Sequence, residues 1–103
     1  MNSEKESLKS KAGKKSRARI IISGRVQGVF FRAYTRDQAR QLSLTGWVRN
    51  NADGTVEILV EGDGADLQKM VGWCHRGPSS ARVQKVDVSW EEYHDEFRTF
   101  EVC

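Results

Sequence analysis

A chain of 103 residues carrying a formal net charge of +3 is sized for one domain and one core. It holds no apolar run of bilayer length, and its N-terminal segment lacks the apolar stretch of a secretory signal. Its two cysteines, Cys74 and Cys103, show neither CxxC nor other metal-type spacing, so a membrane helix, a disulfide scaffold and a cysteine-ligated metal are set aside and a reducing, cytoplasmic setting is expected.

The first 18 residues contain one large apolar side chain, Leu8, and six basic residues against Glu4 and Glu6. Such a segment buries too little apolar surface to order itself, so residues 1–18 are expected to form a disordered basic tail ahead of a folded domain over 19–103. The tail suits a solubilising extension, or weak contact with nucleic acid or an anionic surface. The remaining 11 basic and 12 acidic side chains nearly cancel; the positive charge belongs to the tail.

Arg19-Ile20-Ile21-Ile22-Ser23 is rich in β-branched residues and stops at Gly24, which predicts a strand. From Phe31 to Leu44 the positions Phe31, Thr35, Ala39 and Leu42 recur at helical spacing, with Gly46 as the stop signal. Trp47–Asn50 and Thr55–Glu61 flank an Asp53-Gly54 pair, the mark of a hairpin. Gly62-Asp63-Gly64 reads as a break, and Asp66 as a cap, or near-cap, for a second helix with the stripe Leu67, Met70, Val71 and Cys74. His75 and Arg76 suit its last turn, and Gly77-Pro78 ends it. Val86, Val88 and Trp90 alternate with Asp87 and Ser89 in a half-exposed strand, and Phe100 and Val102 mark a short last one. The order is β-α-β-β-α-β plus a terminal strand: an α+β, ferredoxin-like split βαβ arrangement with an antiparallel sheet and both helices on one face.

Gly24-Arg25-Val26-Gln27-Gly28-Val29-Phe30-Phe31-Arg32 joins the first strand to the first helix. A glycine-containing bend can turn successive N–H groups into one concavity that favours anions, and the helix N-terminus adds positive potential. Arg32 in that first turn has the wrong sign for the helix dipole; an anion held between the guanidinium and the amides relieves the conflict. The alternative is an arginine that snorkels over the sheet, with Arg36 and Arg40 continuing a solvated basic row. No G-x-G-x-x-G or P-loop pattern is present, and no acid lies near Gly28 to position magnesium. Asn50, Asn51 and Asp53 all suit turn chemistry, and nothing local separates Asn50 from Asn51.

Residues Ile22 to Arg32, with Val26-Gln27-Gly28-Val29-Phe30-Phe31-Arg32 at their centre, resemble the first signature of the acylphosphatases. The second signature is matched by Gly46-Trp47-Val48-Arg49-Asn50 with Gly54-Thr55-Val56 and Gly62, and Gly77 to Val83 is similar to a third recurring segment, with Ser79 where proline is frequent. The resemblance runs from about Ile20 to Val102. It implies metal-independent hydrolysis of acyl phosphates to a carboxylate and inorganic phosphate, without a cofactor. It implies Arg32 as phosphate ligand together with the loop amides of Arg25, Val26, Gln27, Gly28, Val29 and Phe30, and Asn50 as the residue that orients the attacking water. A monomer is expected, with a small acyl phosphate as substrate, inorganic phosphate as product and inhibitor, and neither a specific nucleic acid nor a membrane as partner.

Gln27 reads as a brace for the loop, His75 as a helix-end cation, His94 as a surface residue, and Tyr34 as exposed beside the site. An RNA-binding module of the same fold would need aromatic residues on a central strand. Thr55–Glu61 has none, and carries two acids. A domain that binds a phosphoryl group without turning it over is the remaining alternative.

Overall fold

A computed structural model of the chain describes residues 14–103. The elements are β1 (Lys15–Arg25), α1 (Phe31–Gln41), β2 (Thr45–Asn50), β3 (Val56–Asp63), α2 (Gly64–Arg76), β4 (Arg82–Glu91) and β5 (Phe100–Val102). They build one five-stranded sheet in the order β4-β1-β3-β2-β5. The ferredoxin-like arrangement expected from the element order is the one observed.

Alternation along the strands decides the two faces of the sheet. Ile20 lies opposite Ile58 on β3 and Val88 on β4, and Val48 lies opposite Ile58. Ile20, Ile58 and Val48 share one buried cluster with Phe31 and Ala39 of α1 and Leu67, Met70 and Cys74 of α2, and Val88 packs against it, so both helices cover the same face. Each large aliphatic side chain fully buried there contributes about 1.5–3 kcal/mol. The two helices meet edge to face through Phe31 and Trp73, with ring centroids 5.5 Å apart. Burial pushes the Cys74 thiol up to about 12, so it stays protonated and serves as a small apolar filler.

The opposite face is held by charge. Arg17, Arg19 and Arg49 meet Glu57, Glu61 and Glu91 across neighbouring strands. Burial alone would raise the Glu57 carboxyl, but hydrogen bonds from Arg49 and Arg19 outweigh it and hold that carboxyl below its ordinary value. Glu61 is 1% exposed and accepts the backbone N–H groups of His94 at 2.7 Å and Glu96 at 3.0 Å. That carboxylate therefore stitches the segment between β4 and β5 across the sheet.

Several boundaries depart from the sequence expectations, each for a physical reason. The expected tail falls on residues 1–13, outside the described residues, and on 15–18, which belong to β1 instead. Ala18 is in the core, and Arg17 finds carboxylates at Glu61, Glu91 and Glu96, partners that a count of apolar residues does not see. Helix α1 stops at Gln41, because Ser43 turns left-handed at φ 59°. Gly62 and Asp63 continue β3 rather than breaking it, and the cap of α2 is Asp63, whose carboxylate accepts the Ala65 N–H at 2.9 Å; Asp66 sits inside the first turn. The sheet is also mixed, since β5 runs parallel to β2. β4 is antiparallel to β1, so the chain leaves it at the end where β2 starts, and the crossing segment delivers β5 in β2's direction.

Gly46 stops no helix: it lies inside β2 at φ 140°, where an added Cβ would fall 1.9 Å from the Leu59 carbonyl oxygen. Both the backbone angle and the contact require glycine. Gly46→Ala should therefore destabilise the protein by about 2–4 kcal/mol, read as a lowered urea midpoint with an unchanged m-value.

Candidate active site

The loop after β1 is anchored by Val26, which is fully buried. Gly28 then turns left-handed at φ 75° and Phe30 at φ 62°. Phe30 is the N-cap of α1; it supplies no side-chain cap, and the first turn contains no acidic residue. No backbone N–H from Gly28 to Phe31 donates to another described residue. The loop and the helix start thus keep donors without a partner among the described residues, beside the positive potential of the helix N-terminus.

Two neighbours fix the loop. The Gln27 side-chain amide donates to the backbone carbonyls of Asn51 and Thr55, each at 2.9 Å, and the Ser80 hydroxyl donates to the Val29 carbonyl at 3.1 Å. Gln27 therefore ties the strand-to-helix bend to the β2–β3 hairpin, as the bracing role anticipates. The hairpin is rigid in its own right. Asn51 N–H donates to Thr55 O at 2.8 Å, and the Asp53 carboxylate accepts from the Thr55 hydroxyl at 2.7 Å and its N–H at 3.0 Å. Those bonds hold the Asp53 carboxyl below its ordinary value.

Between bend, helix and hairpin lies a cleft of about 320 Å³, walled by Val26, Gly28, Phe30, Phe31, Arg32, Ala33, Arg36, Asn50 and Val102. Arg32 and Asn50, far apart in sequence, face the same space. The Asn51 carboxamide is committed to the Thr55 hydroxyl at 3.0 Å, whereas that of Asn50 makes no hydrogen bond to a described residue. The two asparagines that sequence alone leaves indistinguishable are thereby separated. One Arg32 nitrogen, Nη1, donates to the Cys103 carbonyl at 2.9 Å, and Arg40 donates likewise to the Phe100 carbonyl. Arg40 thus holds β5 and Arg32 the residue that follows it, and Arg32 still lines the cleft.

Of the other loop residues singled out from sequence, Val26, Gly28 and Phe30 wall the cleft. Arg25 ends β1 opposite Arg82, Gln27 is turned to the hairpin, and Val29 packs against the core. Arg36, Val102 and the Cys103 carbonyl were not assigned to the site from sequence. The i, i+4 spacing from Arg32 is a signal for Arg36; Val102 depends on a parallel strand pairing that no local pattern announces. Tyr34 is exposed, as expected. Among the described residues no three His, Cys, Asp or Glu side chains cluster as metal ligands, and no helix is long and apolar enough to cross a membrane.

A ferredoxin-like α+β domain with a cleft lined by Arg32 and Asn50 at its first strand-to-helix turn is the class that fold and site define. Residues 18–102 match the family model described as Acylphosphatase. An acylphosphatase of Chloroflexus aurantiacus is 58% identical over 76 residues, covering 74% of this chain and 83% of that protein. One of Pelotomaculum thermopropionicum is 50% identical over 89 residues, covering 86% and 97%. The crystal structure of acylphosphatase from Bacillus subtilis superposes with a TM-score of 0.83 at 36% identity, covering 85% of this chain and 98% of that one. The chain belongs to the acylphosphatase family of hydrolases.

Proposed function

We propose that the protein hydrolyses acyl phosphates to a carboxylate and inorganic phosphate without a metal ion, by in-line attack of a water oriented by Asn50 on a phosphoryl group held by Arg32 and the loop amides. The observation that carries this reading is the shared cleft: it is walled by Arg32, by loop residues whose N–H groups have no partner among the described residues, and by Asn50, whose carboxamide is uncommitted in the same sense.

The chemistry suits so sparse a site. The water oxygen forms a bond to phosphorus, and the bridging P–O bond breaks with its electron pair leaving on the carboxylate. A water proton passes to a phosphoryl oxygen. The leaving carboxylate has a conjugate-acid pKa of about 4, so no general acid is required. Phosphoryl transfer then depends on positioning and on stabilising charge over the equatorial oxygens. Arg32 and the amides supply that charge. Asn50 cannot act as a base, but its carbonyl oxygen accepts a hydrogen bond from water and holds the nucleophile in line. The same reading has the protein working as a monomer in a reducing, cytoplasmic setting with both cysteines free.

The test is hydrolysis of acetyl phosphate in excess chelator, with inorganic phosphate as inhibitor. Chelator-resistant turnover and competitive inhibition by phosphate are expected. Phosphate binding without turnover would overturn the reading in favour of a phosphoryl-binding domain.

A further inference from the structure

Phe30 is the one cleft residue whose presence the fold works against. It is 77% exposed and held left-handed, a conformation that a bulky side chain adopts only under strain. Glycine in its place would remove both penalties, as it does at Gly28. The core does not account for the ring: Phe30 is outside the buried cluster and makes no ring contact with another described residue. It stands instead on the wall of the cleft that holds Arg32 and Asn50.

Apolar as well as charged side chains accompany the ring on the cleft wall. Val102, 38% exposed, lines the same cleft. Tyr34, 51% exposed, follows one turn along α1, and its N–H donates to the Phe30 carbonyl; i and i+4 positions are neighbours on a helix surface. The cleft thus brings two arginines, Arg32 and Arg36, together with the exposed Phe30 ring and Val102. An acyl phosphate is built the same way, with a dianion at one end and an acyl group at the other.

We infer that the Phe30 ring is the platform on which the acyl group rests, so that aromatic acyl phosphates are preferred over acetyl phosphate. This rests on the acyl phosphate reading above. With the phosphoryl group between Arg32 and the loop amides, the acyl end is directed outward along the wall that Phe30 forms. A benzoyl group stacked or edge-on to that ring gains about three- to tenfold over an acetyl group, the usual worth of an aromatic pair.

The experiment compares kcat/KM for benzoyl phosphate and acetyl phosphate in wild type, Phe30→Gly, Phe30→Asn and Phe30→Trp. Glycine and asparagine both tolerate the left-handed backbone, and a ratio of the two substrates cancels any general change in the loop. The benzoyl-to-acetyl ratio should fall about three- to tenfold in Phe30→Gly and Phe30→Asn and be retained in Phe30→Trp. An unchanged ratio in both ring-less variants, with wild type active on both substrates, would overturn the inference and leave the acyl phosphate reading intact. Wild type inactive on both would overturn that reading, and the inference with it.

Discussion

Arg32→Gln should lower kcat/KM for acetyl phosphate by about 10³-fold or more, while the urea midpoint stays close to that of wild type. Removing one well-aimed neutral donor from a site of this kind costs about 10²–10³ in rate, and glutamine also removes the positive charge. Its amide lacks the planar fork that matches phosphate oxygens. One nitrogen of Arg32 is committed to the Cys103 carbonyl, and the other two have no partner among the described residues. They are the donors available to a phosphoryl group. The lost bond to Cys103 costs about 1 kcal/mol, too little to unfold the protein. Inhibition by inorganic phosphate should weaken in parallel. Undiminished phosphate inhibition in the variant would show that the anion is held elsewhere.

Asn50→Ala should lower kcat by about 10²-fold or more and leave the phosphate inhibition constant nearly unchanged. On the proposed reading the carboxamide contacts the attacking water and not the phosphoryl group, so its loss is felt in the transition state alone. The residue is at the exposed end of β2, and its side chain makes no hydrogen bond to a described residue. Single-turnover kinetics together with phosphate titration separate the two effects. Equal losses of turnover and phosphate affinity would place Asn50 among the anion ligands instead.

The core of the fold and the cation in the site are legible in the sequence, because both rest on local pattern. Ile20 and Ile22, the Leu67–Met70–Cys74 stripe, and Gly77-Pro78 announce a strand, a helix face and a helix end through spacing alone. Arg32 is conspicuous because its charge opposes the helix it begins. Asn50 is different. Three hairpin residues suit the same turn, and only the match to a longer signature singles it out; in the structure Asn51 is bonded to the Thr55 hydroxyl and Asn50 lines the cleft. What escapes the sequence depends on partners distant in the chain. Arg17 reads as tail until Glu61 and Glu96 arrive beside it. Gly46 reads as a helix stop until the Leu59 carbonyl presses on it. Val102 joins the cleft only because β5 lies parallel to β2.

The carboxylate of Glu61 carries a thermal consequence for catalysis. The segment it fastens delivers β5, and Cys103, directly after β5, supplies the backbone oxygen that steadies Arg32. Arg17 reinforces that fastening through Glu61 and Glu96. Ion-pair networks keep their worth on warming, because the hydration penalty for holding charges together falls as temperature rises. Warming should therefore leave the Glu61 fastening firm, so that the last strand stays seated beside the cleft for as long as the sheet itself holds.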